Sequence, residues 1–247
     1  MQPDLSWLTA RPIAHRGLHD KSRGLIENTA GAFAAAIAGN YAIECDLQIT
    51  RDGEAVVFHD EVLDRLTDAA GRVCQRTAAE MQQLTIRGSS DRVQTLQELL
   101  KQVDGKVPLV IEIKSLWDRS DALTRRTLDV ISTYTGPYAL MSFDPDVVAA
   151  LWQLSPATPR GIVAERATDS YYSMLSPARR LELRTLSHLP RTRPHFMSFY
   201  FRELPWAPIE AYRVAGFPVI SWTIRTPDDA KEAMRHTDQI TFENFAA

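Results

Sequence analysis

Eight short apolar runs recur along the chain, each separated from the next by a longer stretch with helical character. They fall near Pro12–His15, Ala42–Leu47, Pro108–Ile113, Tyr138–Ser142, Gly161–Ala164, Phe196–Ser198, Pro218–Thr223 and Gln239–Phe242. Helix-like segments lie between them, among them Ala30–Ala38, Thr95–Gln102, Ser120–Tyr134, Asp146–Leu154, Pro177–Leu186, Ala207–Ala215 and Pro227–Arg235. Ser176-Pro177 and Thr226-Pro227 each set an N-cap residue before proline at the first helical position. Alternating strands and helices imply a parallel sheet. Eight such units in 247 residues predict an α/β fold of the (β/α)8 TIM-barrel type.

One segment breaks the alternation. Only a short stretch containing the turn-like Thr50-Arg51-Asp52-Gly53 lies between Asp46 and Val56. A parallel crossover needs a dozen or more residues. Ala55–His59 is therefore expected to return antiparallel, as a hairpin rising from the end of the second strand. Residues of about 47–100 read as a small insertion, with a short helix at Thr77–Gln83, in a single domain spanning residues 1–247.

Bulk properties exclude several classes of function. A net charge of −3 lacks the basic footprint of a nonspecific nucleic-acid binder. Cys45 and Cys74 form neither a disulfide framework nor a zinc-ligand pattern. The start, Met1-Gln2-Pro3-Asp4-Leu5, does not read as a signal peptide, and no run approaches the ~18 apolar residues of a membrane span. The expectation is a soluble cytoplasmic protein of undetermined oligomeric state.

Charged residues beside the apolar runs point to a site, because charge is rarely buried without a partner. Glu44 and Asp46 lie two apart on the second strand and share a face, and Glu112 and Lys114 repeat that spacing on the third. Three carboxylates converging at the carboxyl ends of barrel strands would repel one another without a cation. A hard divalent ion, Mg²⁺ or Ca²⁺, fits an all-oxygen set. His15 and His59 fall at strand ends on the same side and read as an acid–base pair. Gly17 permits unusual backbone angles and Asp60 can bond local amides, so each can fix the turn that follows its histidine.

Taken together, Ala14-His15-Arg16-Gly17, Glu27-Asn28-Thr29, Ile43-Glu44-Cys45-Asp46, Thr50-Arg51-Asp52-Gly53, Val56-Val57-Phe58-His59-Asp60 and Arg65-Leu66-Thr67 resemble the signature of the glycerophosphodiester phosphodiesterases. The likeness recurs at Ile111–Lys114, Ser142-Phe143-Asp144 and Trp222-Thr223. It implies a TIM barrel with an insertion after the second strand. It further implies acid–base histidines at His15 and His59, and metal ligands at Glu44, Asp46 and Glu112. Glu27 corresponds to a carboxylate close to the metal, Arg16 and Lys114 to groups near the phosphate, and Trp222 to an aromatic of the pocket wall. The implied substrate is a small glycerophosphodiester, opened to glycerol 3-phosphate and an alcohol. The pattern departs at Ile26, where proline is common, at Asn40-Tyr41-Ala42, and at Thr241-Phe242-Glu243-Asn244-Phe245, where the family commonly has Thr-Asp-x-Pro and a closing helix.

Two other readings remain at this stage. Aromatic residues in the loops after strands five and six (Tyr171, Tyr172, Tyr200, Phe201 and Trp206) suggest a wall for an alcohol head or an acyl chain, and hence a lysophospholipase D-like activity on the same scaffold. A non-catalytic barrel is the other, and no site residue is missing to favour it.

Overall fold

In the computed structural model, which describes residues 3–168 and 170–247 and only the backbone of Ser170 and Tyr171, the apolar runs pair side by side in chain order. The strands are β1 (Ile13–Ala14), β2 (Ala42–Ile49), β3 (Ala55–Val57), β4 (Leu109–Ile113), β5 (Tyr138–Ser142), β6 (Arg160–Ala164), β7 (Phe196–Tyr200), β8 (Val219–Ile224) and β9 (Gln239–Phe242). All except β3 are parallel. Ile13 pairs with Ala42 on one side and Thr241 on the other, so β1 joins β2 to β9 and closes an eight-stranded barrel. Closure thus needs no Thr-Asp-x-Pro motif. Beyond β9, Phe245 packs edge-on against Phe242 at 5.3 Å, and the Tyr41 hydroxyl donates to the Ala247 carbonyl at 2.9 Å.

The helices are α1 (Ser6–Thr9), α2 (Ala30–Ala38), α3 (Ala78–Gln83), α4 (Leu96–Val103), α5 (Ala122–Ile131), α6 (Pro145–Leu154), α7 (Pro177–Thr185), α8 (Leu189–Thr192), α9 (Ala207–Val214) and α10 (Pro227–Ala233). Ser176 and Thr226 cap α7 and α10 as expected, accepting from the Arg179 and Asp229 amides at 3.2 and 3.1 Å. Helix α5 is shorter than its periodicity suggests. At its start the Asp118 side chain accepts the Ser120 amide, a local bond that competes with helix. None of the helices among the described residues is long and apolar enough to cross a membrane.

Strand alternation explains where the core ends and the site begins. Ile43, Cys45 and Leu47 of β2 point outward with Leu109, Ile111 and Ile113 of β4, into a cluster that includes helix residues such as Phe33 and Leu99. The opposite face enters the barrel, where Ile13, Ala42, Val110, Ala139, Met141, Val163, Phe196 and Ile220 fill the lower part. Leu5 and Leu8, around α1, join the same cluster. Both faces are thus covered, which is why these strands read as continuous apolar runs. Two and four residues beyond Ala42 come Glu44 and Asp46, and two beyond Val110 comes Glu112. The inward row changes from apolar to acidic as it rises toward the carboxyl ends.

The hairpin also forms as expected. Leu47, Gln48 and Ile49 pair antiparallel with Val57, Val56 and Ala55, which extends β2 to Ile49. Val56, Phe58, Leu63, Leu66, Val73, Met81, Ile86 and Val93 bury a separate apolar cluster beside the barrel, joined by Ile26. Ile26, which stands where proline is common, is therefore a packing residue.

Candidate active site

Asp46 and Glu112 lie opposite each other in the β2–β4 register, with Glu44 two residues below Asp46 on the same face. Carboxylate oxygens of Glu44, Asp46 and Glu112 all lie within 4.8 Å of one another, and all three residues are buried. Lys114, two residues beyond Glu112, puts its Nζ 2.7 Å from Asp46 Oδ1 and 2.6 Å from Glu112 Oε1. Arg16 donates its backbone amide to Glu44 Oε2 at 3.0 Å and brings its Nε to 3.4 Å from Asp46 Oδ2. Burial, with Asp46 and Glu112 alongside, pushes the Glu44 carboxyl well above its ordinary pKa. Burial acts in the same direction on Asp46, but Lys114, His59 and Arg16 outweigh it and hold that carboxyl below its usual range. A buried all-carboxylate set with side-chain cations drawn into it has the donor chemistry for a hard divalent ion.

Asn28, not singled out from sequence beyond its motif, also belongs to this cluster. Its Nδ2 donates to Asp46 Oδ2 at 2.8 Å, from a backbone in the left-handed region with φ of 56°. Gly17 carries φ of +80°, and a Cβ there would come within 2.9 Å of the Ala32 backbone. The turn that follows His15 therefore needs glycine at this position.

Each histidine is oriented by a carboxylate. His15 Nδ1 lies 2.5 Å from Glu243 Oε2, and His59 Nδ1 lies 2.7 Å from Asp60 Oδ1. Carboxylates only accept, so Nδ1 is the protonated nitrogen in both neutral rings and Nε2 carries the lone pair. His15 Nε2 sits 3.9 Å from Glu44 Oε2. Burial pulls the His15 pKa down to about 4, against the opposing effect of the hydrogen bond it donates to Glu243. Glu243 is itself held by Arg225 Nε at 2.8 Å, and His19 Nε2 lies 3.5 Å away. Asp60 does more than fix a turn: it binds the His59 ring and also accepts from Arg65 Nε at 2.6 Å.

Arg65 links the two halves of the site. It pairs with Asp60 and also with both oxygens of Glu27, at 2.7 and 2.8 Å. Arg16 Nη1 reaches the same Glu27 at 2.7 Å. Burial opposes ionisation of Glu27, yet Arg65 and Arg16 hold its pKa at about 2. Glu27 therefore stands beside the acid cluster as an anchor for two arginines, outside the group of three converging carboxylates.

Two cavities flank the cluster. One, of about 800 Å³, is lined by His15, Arg16, His19, Arg225 and Glu243, among others. The other, of about 400 Å³, is lined by His59, Glu112, Lys114, Trp117, Glu165 and Tyr172, among others. Trp222, expected at the pocket wall, is not among the lining residues of either. Its indole donates to the Ser198 carbonyl at 3.1 Å, and its ring packs on Phe143 and Tyr200 at 5.3 and 5.2 Å. Strand alternation from Ile220 turns Trp222 into the barrel mouth. Of the expected aromatic wall, Tyr172 does line the second cavity. Phe201 belongs to the outer core, and Trp206 stacks on Phe199 at 5.6 Å. The Tyr171 side chain lies outside the described residues. Of the arginines after β6, Arg179 and Arg191 both pair with Asp146 and Glu182.

Comparison with known proteins agrees with this geometry. Residues 15–239 match the glycerophosphoryl diester phosphodiesterase family. A glycerophosphodiester phosphodiesterase of Caldanaerobacter subterraneus subsp. tengcongensis is 28% identical over 233 residues, covering 90% of this chain and 89% of its own. Glycerophosphodiester phosphodiesterase 1 of Bos taurus is 24% identical over 261 residues, covering 88% and 72%. Among solved structures, an Oleispira antarctica phosphodiesterase in complex with its product sn-glycerol-3-phosphate superposes with a TM-score of 0.78 at 20% identity, covering 94% of this chain and 91% of its own. A Thermotoga maritima glycerophosphodiester phosphodiesterase gives 0.71 at 22%, covering 93% and 92%. These two share the barrel fold, and the match over residues 15–239 carries the assignment: the chain belongs to the glycerophosphoryl diester phosphodiesterase family.

Proposed function

We propose that this protein hydrolyses glycerophosphodiesters to glycerol 3-phosphate and an alcohol, with a divalent ion, Mg²⁺ or Ca²⁺, held by Glu44, Asp46 and Glu112. The observation that carries this reading is the pair of carboxylate-oriented histidines beside a buried three-carboxylate cluster. When bound, such an ion supplies positive charge to the nonbridging phosphate oxygens as attack proceeds. The side chains supply the rest. Arg16 and Lys114 lie in contact with the cluster and add positive charge beside the phosphate. With Nδ1 committed to Glu243 or Asp60, the unprotonated Nε2 of one histidine takes the proton of the attacking oxygen, and the other, starting as the imidazolium, gives its Nε2 proton to the departing oxygen. Glu27 and Arg65 hold Arg16 and Asp60 in place and so couple the two histidine arms.

The test is a substrate panel with purified protein and added Mg²⁺ or Ca²⁺. It comprises glycerophosphoglycerol, glycerophosphoethanolamine, glycerophosphocholine and a lysophospholipid, with glycerol 3-phosphate as the measured product. Release of glycerol 3-phosphate from the water-soluble diesters supports the reading. Turnover of the lysophospholipid alone would replace it with the lipid-directed activity.

A further inference from the structure

The two cavities beside the acid cluster differ in chemistry. The cavity on the His15 side gathers Arg16, Lys21, Arg23 and Arg225 around Asp20, Glu27 and Glu243. On the His59 side the lining includes Asp60 and Glu61, which pair with Arg65 and Arg72 from outside the lining, and Glu165, which accepts from a tyrosine; Lys114 is the single lysine or arginine among the described lining residues. Lys114 is already engaged by Asp46 and Glu112. Leu116, Trp117, Phe143 and Tyr172 supply an aromatic and apolar part of that wall, beside the neutral polar Gln48, Ser115 and Ser142.

We infer that the His59-side cavity is the subsite for the alcohol arm of the diester, and that it selects a cationic amino alcohol, choline or ethanolamine. The inference rests on the diester reading above. An alkylammonium head is held by aromatic faces and by carboxylate charge, with the attraction growing as water is excluded. A neutral polyol gains little from such a wall, and an anionic alcohol is repelled by it.

The wall is also fixed in place, as a selective pocket requires. Glu165 leaves the carboxyl end of β6, and its Oε1 accepts the hydroxyl of the buried Tyr172 at 2.7 Å. Phe143 is braced edge-on by Trp222. Trp117 sits in a left-handed turn with φ of 57°, and its amide donates to Ser115 Oγ at 2.9 Å. Ser115 in turn donates to the buried Asp144 at 2.6 Å. Aromatic side chains and a held carboxylate therefore line one cavity that reaches His59 and Glu112. A volume of about 400 Å³ is ample for a small alcohol head.

The decisive probe is a pair of diesters alike in shape but not in charge. Glycerophosphocholine is compared with the glycerophosphate ester of 3,3-dimethylbutanol, the uncharged carbon isostere of choline, with Mg²⁺ present. The metal-loaded wild-type protein is expected to favour the choline diester by about tenfold in kcat/KM. Glu165→Gln should bring that ratio to within about threefold of one, and Trp117→Leu should reduce it independently. A wild-type ratio near one, a preference for the uncharged ester, or a ratio unmoved in both variants overturns the inference. If no diester is turned over, the phosphodiesterase reading fails by itself. The cavity is then judged by titrating choline and 3,3-dimethylbutanol against tryptophan fluorescence. Saturable choline binding that weakens in Glu165→Gln upholds the subsite, and its absence rejects it.

Discussion

Replacing Glu243 tests how far the orientation of His15 contributes to turnover. The Glu243 carboxylate receives His15 Nδ1 at 2.5 Å while Arg225 steadies its other oxygen at 2.8 Å. In Glu243→Ala the ring loses its partner and is free to turn, and the tautomer with Nε2 unprotonated is no longer preferred. A hydrogen bond to a charged group contributes about 1.5–3 kcal/mol. At about 1.4 kcal/mol per factor of ten, kcat should fall by roughly 10–100-fold. Glu243→Gln keeps an acceptor oxygen without the charge and should lose less. Arg225 is 56% exposed, so freeing it should disturb the fold little. The assay is steady-state hydrolysis of a glycerophosphodiester with Mg²⁺, beside a thermal melt that confirms folding. A Glu243→Ala enzyme within twofold of wild type would refute the orienting role.

Other substitutions probe different parts of the account. His15→Ala and His59→Ala should each lower kcat by about 10²–10⁴. His236→Ala should do little, since its ring meets Glu210 at 3.2 Å on the helical side. A near-normal rate in either of the first two variants removes that histidine from the acid–base pair. His188 supplies a test of stability against pH. Burial lowers its pKa from 6.5 to about 4, so the fold keeps it neutral while the unfolded chain takes up a proton below 6.5. Its contribution is complete above pH 6.5 and is lost as pH falls toward 4, on the order of 1 kcal/mol at pH 5.5. Denaturant titrations at pH 7.5 and 5.5 should show a drop smaller by that amount in His188→Gln. Equal drops in wild type and variant would count against it.

The parts of the fold that follow from covering both faces of a strand were legible in the sequence. So were the hairpin, from its short connection, and the acid cluster, from the two-residue spacing of Glu44 and Asp46. The orienting groups were harder to see. Glu243 and His15 are 228 residues apart and meet only because β9 closes against β1. No local spacing announces such a pair, although an acidic residue at the end of the last barrel strand was a usable signal. Asp60 stood in view beside His59, but its bond to the ring depends on how the hairpin emerges. Arg65 and Asn28 lay within recognised motifs, and their partners became evident only once loop and strand were juxtaposed. Trp222 was legible as an aromatic near the pocket, and alternation along β8 turns it into the barrel mouth against Phe143 and Tyr200, one ring behind the cavity lining. Trp206 instead stacks on Phe199, outside the barrel interior, a contact that no local spacing announces.

The central claim is that a divalent ion on Glu44, Asp46 and Glu112 drives diester hydrolysis. The most direct measurement is the rate of glycerol 3-phosphate release by exhaustively chelated protein, as Mg²⁺ or Ca²⁺ is titrated back, for wild type and for Asp46→Asn. The account predicts a negligible rate without metal, and saturable recovery in wild type with about one ion bound per chain. It predicts little recovery in Asp46→Asn, whose amide still accepts a hydrogen bond but removes one negative charge from the cluster. Full activity in metal-free protein, or equal recovery in the variant at the same ion concentration, would contradict it.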